Sequence, residues 1–491
     1  MEIELTVELL IPDTTALTAF HTLKKIGFKE LKKLRREDYY KFTVKNDDFK
    51  KVSEKLGKTD ILVNANKHRF MTKLSDESFD GEGVKVLVQD IDNKDGMLET
   101  LRNRLGLKEI ESMERGVLWT LDLEKKELAK EIAESLLFNK HYQEYKILDG
   151  KTTYKDAGVN IDESENAVNK LKVHAKKTFN ENVMLDIGAF AGAINVDKLK
   201  QFKNPILLSS IDGVGTKVMV ASMMNKWDSI GKDIIGHAVN DILAVGGEPF
   251  FFLNYLATSK VDSDKIEQII KGMSEAAIEN DTPMIAGEIA EMPGVYKKGE
   301  HDIVGCIIGI VDRDMVIDGS KIQEGNVLIG LESDGLHTNG FSLVRKVLFE
   351  MAEYSVKDKP KELDTSIGEE LLRPHKSYVK PVLEVLKQFK VHGIAHITGG
   401  GLPDNVGRLL PDGLGVKIDK TKINTQPIFK LIQEKGNVPE DDMFRTFNMG
   451  VGMVLIVSKK ICQDVLKELK RLKQKSIVIG EVIKGSGVKI I

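Results

Sequence analysis

The sequence predicts an α/β protein in which two small α+β repeats precede a larger α/β region made of two halves. Three observations support this prediction. A segment near the amino terminus recurs at an offset of 79 residues. Short apolar strand patterns alternate with helical patterns after about residue 150, and five polar, glycine-bounded segments lie among them.

The repeat relates Ile26-Gly27-Phe28-Lys29-Glu30-Leu31 to Leu105-Gly106-Leu107-Lys108-Glu109-Ile110. Each copy predicts the order strand, helix, strand, helix, strand, in a ferredoxin-like arrangement. In the first copy the predicted elements are Glu2 to Leu10, Thr14 to Ile26, Tyr39 to Val44, Asp47 to Leu56 and Ile61 to Asn64. We therefore expect repeats over residues 1–75 and 83–149, with the second copy's elements between Val84 and Leu148. Asp76 to Gly83 has the composition of a linker.

Composition favours a soluble enzyme and excludes several other classes. A hydrophobic content of 41% is ample for packed cores, and a net charge of −3 argues against a general nucleic-acid surface. The apolar runs are too short to span a bilayer, so no membrane association is expected. Met1-Glu2-Ile3-Glu4 carries no basic segment typical of a secretory signal. The two cysteines, Cys306 and Cys462, match no known zinc-binding spacing, and a cytoplasmic protein is expected.

The most informative segment is Ile211-Asp212-Gly213-Val214-Gly215-Thr216-Lys217, which follows the apolar run Pro205 to Ser210. It combines a carboxylate, two glycines, a hydroxyl and a lysine. Phosphates are bound by backbone N–H groups and cations, while Mg²⁺ prefers hard oxygen ligands. The Gly-x4-Gly-Lys spacing of a Walker A loop is absent. A tight turn is the simpler interpretation of this segment by itself.

Four further segments share this polar, glycine-rich character. They are Gly236 to Asp241, Gly287 to Gly294, Ser333 to Gly340 and Ile394 to Gly401. Each one alone is as typical of a helix cap or turn as of a binding site. Because a buried carboxylate without a partner is costly, Asp212, Asp241 and Glu288 beside apolar runs indicate a shared cation. Five such segments within about 190 residues favour a catalytic region.

Residues 152 to 491 resemble the aminoimidazole ribonucleotide synthetase family, also called phosphoribosylformylglycinamidine cyclo-ligases. The resemblance begins at Tyr154-Lys155-Asp156-Ala157-Gly158-Val159, includes the five segments above, and continues through Tyr378-Val379-Lys380 and Phe447 to Met453. That family has an α/β two-domain fold and dimerises by completing a barrel. The resemblance therefore implies an ATP-binding domain at 152–318, a second domain at 319–491, and a homodimer.

The family's reaction implies ATP and Mg²⁺ as cofactors and formylglycinamidine ribonucleotide as substrate. ATP phosphorylates a formamide oxygen, the amidine nitrogen closes the imidazole ring, and ADP and phosphate are released. The Mg²⁺ ligands implied are Asp212, Asn240, Asp241 and Glu288. The phosphate-binding residues implied are Lys172, Gly213, Gly215, Thr216 and Lys217 for ATP, and Gly399, Gly400 and Gly401 for the substrate's 5′-phosphate. A solvated helix lysine is nearly as good an interpretation of Lys172.

Proton transfer is expected to involve His337 and His396, which lie in glycine-bounded loops, and Lys217 is the third candidate catalytic residue. His237, beside Asn240 and Asp241, is interpreted as a packing residue or as one that supports the metal ligands without binding the metal. The sequence also departs from the family's pattern. The family has Thr where this chain has Ile211 and Ile289, Ser near Asp334, and Pro-Thr where it has Pro374-His375.

Each amino-terminal repeat is similar to the small subunit of formylglycinamidine ribonucleotide synthetase, the enzyme one step earlier. This implies docking to that enzyme's large subunit, although the copies could also be generic assembly modules or thicken the dimer interface. Two alternative functions remain open. One is a related kinase or synthetase acting on selenophosphate or thiamine phosphate, and the other is a non-catalytic assembly protein for the preceding enzyme.

Overall fold

The computed structural model describes residues 1–45, 49–75, 77, 79, 83–91, 96–123, 128–148, 159–297 and 299–491. The chain separates into two compact units, Met1–Ala157 and Gly158–Ile491. Most of the segment Tyr154 to Val159, and most of the linker expected at Asp76 to Gly83, lie outside the described residues. Among the helices that are described, none is long and apolar enough to cross a membrane.

The first unit contains the predicted order of strand, helix, strand, helix, strand twice. The elements are β1 (Glu2–Leu9), α1 (Thr14–Lys25), β2 (Lys33–Val44), α2 (Phe49–Gly57), β3 (His68–Leu74), β4 (Val84–Asp90), α3 (Met97–Asn103), β5 (Ile110–Asp122), α4 (Leu128–Ile132) and β6 (Gln143–Leu148). The six strands form one sheet in the order β3-β1-β2-β5-β4-β6. The two repeats therefore share a single sheet.

An approximate twofold axis relates the two copies within that sheet. Strands β2 and β5 run antiparallel, and Asp38 pairs with Val117, its own counterpart at the offset of 79. Thr43 pairs with Ser112 on one side of this point, and Lys33 pairs with Asp122 on the other. The duplicated strands thus pair with each other as two identical subunits would.

The two larger hydrophobic cores among the described residues of this unit are each built from both copies. One joins Leu23 of α1 to Ile132 of α4. The other joins Leu101 of α3 to Val52 and Leu56 of α2. The first helix of each copy therefore packs with the second helix of the other copy, so neither repeat contains a complete core.

One predicted element is wrong. Ile61 to Asn64 is a turn, in which the backbone N–H groups of Leu62 and Val63 both donate to the carbonyl of Thr59. Leu62 and Val63 are buried in the core from this turn, which explains the apolar pattern without a strand. The third strand of the first copy is β3, which begins at His68.

The second unit contains one sheet in each predicted half. Its elements are α5 (Ile161–Ala175), β7 (Pro205–Gly213), α6 (Lys217–Met224), α7 (Asp228–Ala244), β8 (Glu248–Thr258), α8 (Ser263–Glu279), β9 (Met284–Glu291), β10 (His301–Asp312), β11 (Val327–Glu332), α9 (Phe341–Arg345), α10 (Ile367–Leu371), α11 (Val379–Gln388), β12 (Val391–His396), α12 (Gly401–Gly407), β13 (Leu414–Ile418), α13 (Pro427–Gly436), α14 (Glu440–Thr446), β14 (Val451–Val457), α15 (Cys462–Arg471), β15 (Ser476–Lys484) and β16 (Gly487–Ile490). The sheet orders are β7-β10-β8-β9 and β12-β14-β11-β15-β13-β16.

Helix α7 lies between the two halves. It packs against β7, β8 and β10 of the first sheet, and against β12 and α11 of the second half. Two glycines bring it close to α8: a Cβ on Gly231 would lie 1.9 Å from the carbonyl oxygen of Ile269, and one on Gly272 would lie 1.9 Å from that of Asp228. Because both of its sides are covered, α7 is buried along most of its length.

The shared cores of the first unit generate a prediction. Leu101→Ala removes a fully buried side chain of the second copy, and we expect it to lower the free energy of unfolding of this unit by about 2–5 kcal/mol. Hydrogen exchange should accelerate in β1 and β2 of the first copy. Leu105→Ala, at a position that is 49% exposed, is the control. Faster exchange confined to the second copy would contradict the shared core.

Candidate active site

The candidate site is organised by one polar face of α7. Asp233, His237, Asn240 and Asp241 follow the spacing i, i+4, i+7, i+8, which places them along one side of a helix. Three of the four are fully buried or nearly so, and the side chain of Asp241 is 29% exposed. Because polar groups in a protein interior need partners, the second half must supply most of them.

The first of these partners is an ion pair with Lys217, the first residue of α6. Its ammonium lies 2.9 Å from Asp233 Oδ1, and neither side chain has any solvent exposure. Nζ also donates to the carbonyls of His337 at 3.0 Å and Arg373 at 2.7 Å. Burial lowers the pKa of Lys217 and raises the pKa of Asp233. All three ammonium donors are therefore used inside the protein, and the expected contact of Lys217 with phosphate stays a prediction.

Asn240 joins α7 to the segment that leads into α11. Its Nδ2 donates to the carbonyl of Lys376 at 2.8 Å, and its Oδ1 accepts the backbone N–H of Tyr378 at 3.0 Å. The side chain is completely buried. The amide oxygen that would bind Mg²⁺ is occupied in this arrangement, so Asn240 serves here as a bridge between the two halves.

A continuous hydrogen-bonded chain connects the carboxylates of Asp212 and Asp241. His237 contacts Asp212 Oδ2 through Nε2 at 2.8 Å, and it contacts the hydroxyl of Thr338 through Nδ1 at 3.0 Å. That hydroxyl lies 3.2 Å from His375 Nδ1.

The chain continues from His375 Nε2 to His396 Nε2 at 3.0 Å, and from His396 Nδ1 to Asp241 Oδ1 at 2.8 Å. The other oxygen of Asp241 accepts from the hydroxyl of Ser210 at 3.0 Å. The predicted catalytic residue His396 therefore lies in this network, and so does His237, for which the sequence favoured packing or support of the metal ligands.

The carboxylates of Asp212 and Asp241, at the two ends of this hydrogen-bonded chain, determine how many protons it holds. Carboxylates only accept, so His237 Nε2 and His396 Nδ1 both donate. The three contacts between these rings need three protons, while Thr338 and a neutral His375 supply only two. One of the three histidines must therefore carry both ring protons.

The directions of the pKa shifts favour His237 for that charge. Burial opposes it, but the hydrogen bond to Asp212 and the charges of Asp241 and Asp212 raise the pKa of His237 above its ordinary value. Burial lowers the pKa of His396 despite its bond to Asp241, and burial lowers the pKa of His375 much further. With His237 charged, His375 donates from Nε2 to His396, and Thr338 donates to His375 Nδ1.

Both terminal carboxylates reach solvent. The side chain of Asp212 is 45% exposed, and one of its oxygens also accepts the backbone N–H of Gly213 at 2.7 Å. Burial opposes ionisation of both groups, but the hydrogen bond with His237 lowers the pKa of Asp212 and the bond with His396 lowers that of Asp241. Two ionised carboxylates therefore lie where α7 meets the edge strand β7.

Glu288 lies elsewhere on the same sheet. Asp212, Gly305, Asn254 and Gly287 form one row across β7, β10, β8 and β9. The row spans three strand spacings, about 14 Å, and successive residues of a strand point to opposite faces. Asp212 points toward α7, and Gly287 lies in the same row. Glu288 is the next residue of its strand, so it points to the opposite face of the sheet, away from α7. The structure does not bring Glu288 and Asp212 together within one chain.

The other expected phosphate-binding residues occupy three places. Gly213, Gly215 and Thr216 lie at the end of β7 and the start of α6, where Gly215 has φ +68° and the Thr216 hydroxyl is 3.3 Å from Ser342. Lys172 lies on α5, and its ammonium is 3.1 Å from the position that a Cβ on Gly188 would occupy.

The glycines of the second expected phosphate loop are Gly399 and Gly400, which precede α12, and Gly401, its first residue. Gly400 and Gly401 have positive φ, and a Cβ on Gly401 would meet the Phe444 carbonyl at 1.8 Å. The backbone at Gly401 therefore leaves no room for a side chain. A Cβ on Gly399 would lie 3.7 Å from Asn339 Nδ2, so the segments Ser333 to Gly340 and Ile394 to Gly401 meet as expected for one site.

His337 is buried beside this chain in a left-handed conformation, with φ +62°. Its ring stacks on His375 with 4.1 Å between centroids, and its Nε2 accepts the backbone N–H of Asp334 at 3.4 Å. Its Nδ1 is buried without a hydrogen-bond partner. Burial holds the pKa of His337 well below its ordinary value, so the ring is neutral.

The departures from the family pattern fall in different environments. Ile211 is 70% exposed on the face of β7 opposite Asp212, while Ile289 packs against the core. Asp334 is exposed and lies 3.3 Å from the ammonium of Lys376. His375 alone among them enters the hydrogen-bonded chain.

Among the described residues, one group of three possible metal ligands has its ligand atoms within 4.8 Å of one another: His237, Asp241 and His396. Sequence reasoning missed Asp233, Thr338 and His375 as members of the site. The spacing of Asp233 with the other polar residues of α7 was a visible signal. Thr338 lay within a segment singled out above and His375 stood out as a departure from the family pattern, but neither gave a signal of its hydrogen-bond partners, which are 21 to 101 residues away in the chain.

Two family models match the second unit of the chain. The model of the AIR synthase related protein N-terminal domain matches residues 188–311, and that of the C-terminal domain matches residues 323–491. Neither model reaches the first unit. A thiamine-monophosphate kinase from Stenotrophomonas maltophilia K279a is similar in structure, with a TM-score of 0.49 at 15% identity over 66% of this chain and 95% of that one.

Two relatives are both named phosphoribosylformylglycinamidine cyclo-ligase. The one from Alkaliphilus oremlandii (strain OhILAs) is 46% identical over 336 residues, which are 68% of this chain and 98% of the relative. The one from Bacillus cytotoxicus is 48% identical over 335 residues, 68% of this chain and 96% of the relative. Because the identity extends over nearly the whole relative and both domain models match in order, the chain belongs to the phosphoribosylformylglycinamidine cyclo-ligase family.

Proposed function

We propose that the protein is an ATP-dependent cyclo-ligase that converts formylglycinamidine ribonucleotide to aminoimidazole ribonucleotide in purine biosynthesis. The observation that carries this proposal is 46% identity to a cyclo-ligase across 98% of its length. The geometry is consistent with it, because Asp212 and Asp241 lie together at the surface and each is held by its own histidine.

The chemistry requires two displacements. The formamide oxygen attacks the γ-phosphorus of ATP and releases ADP, which converts a poor leaving group into a phosphate ester. The amidine nitrogen then attacks the activated carbon, phosphate leaves, and a proton is lost from the nitrogen. Such steps depend on positioning and charge neutralisation more than on covalent participation by the protein.

Asp212 and Asp241 would hold Mg²⁺. Their oxygens are the hard ligands that this ion prefers, and their lowered pKa values keep both ionised at neutral pH. Bound Mg²⁺ would neutralise charge on the phosphate oxygens during transfer. Asn240 and Glu288 also belong to the family's ligand set, but in this arrangement the oxygen of Asn240 is occupied and Glu288 is on the opposite face of the sheet.

The phosphates of ATP would bind where β7 meets α6. The backbone around Gly213 and Gly215 and the exposed hydroxyl of Thr216 lie next to Asp212. The segment Gly399 to Gly401, which meets Asn339, would accept the substrate's own phosphate. For proton transfer we favour His337, because its Nδ1 has no partner in the protein, whereas both ring nitrogens of His396 are bonded.

The carboxylates provide the test of this function. Asp212→Asn and Asp241→Asn should each lower substrate-dependent release of phosphate from ATP by roughly 100-fold, since loss of one electrostatic contributor typically costs that much. Asp264→Asn, a carboxylate that is 82% exposed on α8, should leave turnover unchanged. Near-normal turnover in both site variants would show that the cation and phosphates are held elsewhere.

The protein is further proposed to form a homodimer through the edge strand β7. Leu207 and Ile211 are 59% and 70% exposed on one face of that strand, and Phe190 nearby in the chain is fully exposed. Apolar side chains grouped in this way are typical of a surface that becomes covered. Leu207→Glu should shift the protein to monomers in sedimentation experiments, and Ile278→Glu, at an exposed position on α8, should not. A monomeric native protein would contradict the proposal.

For the first unit we propose the role of the small subunit of formylglycinamidine ribonucleotide synthetase, docking that enzyme's large subunit in the cytoplasm. The duplicated strand order and the paired β2 and β5 support a built-in small-subunit dimer. Docking would raise the local concentration of the shared intermediate. Capture of the large subunit by the full chain, but not by a chain that lacks residues 1–150, is the expected result; equal capture by both would exclude it.

A further inference from the structure

His375 occupies the centre of the hydrogen-bonded chain between the two carboxylates. Its ring is 4% exposed, and both ring nitrogens are used, Nδ1 toward Thr338 at 3.2 Å and Nε2 toward His396 at 3.0 Å. Its backbone N–H donates to Asp233 at 2.7 Å. The residue therefore contacts α7, the loop after β11 and the end of β12 at once.

The ring of His375 has little freedom to move. A Cβ on Gly236 of α7 would lie 2.3 Å from the carbonyl oxygen of His375, so the two backbones are in direct contact. The ring also stacks on His337 at 4.1 Å with 25° between the planes. Its two nitrogens are consequently fixed in direction by packing as well as by hydrogen bonds.

His396 depends on this fixed ring. Within the chain from Asp212 to Asp241, His375 is the link that joins the Asp212–His237 pair to the Asp241–His396 pair. The Nε2 of His396 faces His375 and its Nδ1 faces Asp241. A threonine at position 375, as in the family pattern, has a side chain too short to reach His396 Nε2.

We propose that His375 is a positioning residue that fixes the ring orientation of His396, and through it the Asp241 carboxylate, relative to the Asp212–His237 pair. The inference rests on the proposed cyclo-ligase function and names a residue that acts through others rather than on substrate. His375 Nε2 lies 3.0 Å from His396 Nε2 while Asp241 accepts from His396 Nδ1, so the ring of His396 is held at both nitrogens. Outer-shell partners that orient the ligands of a metal typically contribute 10- to 100-fold to activity.

Two amide variants separate positioning from simple packing. In His375→Gln the amide nitrogen reaches the place of Nε2 and can still donate to His396. In His375→Asn the amide is one carbon shorter and reaches only Thr338. We expect kcat of the Asn variant to fall about 10- to 100-fold with KM for ATP changed less than about threefold, and kcat of the Gln variant to stay within about threefold of the native value.

Equal losses in both variants, or an Asn variant with native kcat, would overturn the proposal. So would a fall in kcat that is matched by a rise in KM and a parallel loss of thermal stability, because that pattern indicates damage to packing. Melting temperatures of both variants are therefore measured beside the kinetics.

A second measurement does not depend on turnover. In the full chain with ¹⁵N-labelled histidine, ring correlations should show His396 as the Nδ1–H tautomer and His375 as the Nε2–H tautomer. In His375→Asn the ring signals of His396 should shift and broaden, because Nε2 loses its fixed partner, and in His375→Gln they should keep their native positions. An unchanged His396 spectrum in the Asn variant would overturn the proposal, whereas absence of substrate-dependent turnover in the native protein would overturn only the proposed function.

Discussion

The buried polar face of α7 is the constraint on which the second unit depends. Polar and charged groups in an interior are costly without partners, and α7 carries Asp233, His237, Asn240 and Asp241 along one side. The second half supplies partners to all four: the backbone N–H of His375, the hydroxyl of Thr338, the backbone from Lys376 to Tyr378, and the ring of His396. A shift of one half against the other would break several of these bonds together.

This constraint separates residues that hold the site from residues that face solvent. Lys217, Asp233 and Asn240 are completely buried and bonded to groups inside the protein, Asp233 through its Oδ1 atom. Asp212 and Asp241 lie at the two ends of the hydrogen-bonded chain and remain partly exposed. The segment Ile211 to Lys217 therefore has two roles. The carboxylate of Asp212 faces the solvent, where a ligand would bind, and Lys217 stabilises the interface between the halves.

Much of the fold was predictable because it depends on local patterns. Alternating apolar residues predicted β1, and helical spacing predicted α1, and both were confirmed within one residue at each end. The pattern failed at Ile61 to Asn64, where Leu62 and Val63 fill the core from a turn. Apolar residues show that a segment is buried, but they do not show whether its backbone pairs with another strand.

The site was less predictable because its geometry depends on long-range register. The types of residue indicated phosphate and metal chemistry, yet the pattern could not show that Glu288 lies one residue out of the row that contains Asp212. Nor could it show that Lys217 would turn inward to Asp233, 16 residues along the chain. His375 stood out only as a departure from the family's pattern, and its partners became visible when β12 and α7 were seen together.

The central claim is that the polar face of α7 holds a cyclo-ligase site rather than that of another ATP-dependent enzyme. The most direct test is to measure ADP, phosphate and aminoimidazole ribonucleotide formed by the native full chain with and without formylglycinamidine ribonucleotide. The account predicts the three products in equal amounts, and none of them when that substrate is withheld. ATP turnover that is indifferent to the substrate, or phosphate release without ring closure, would contradict it.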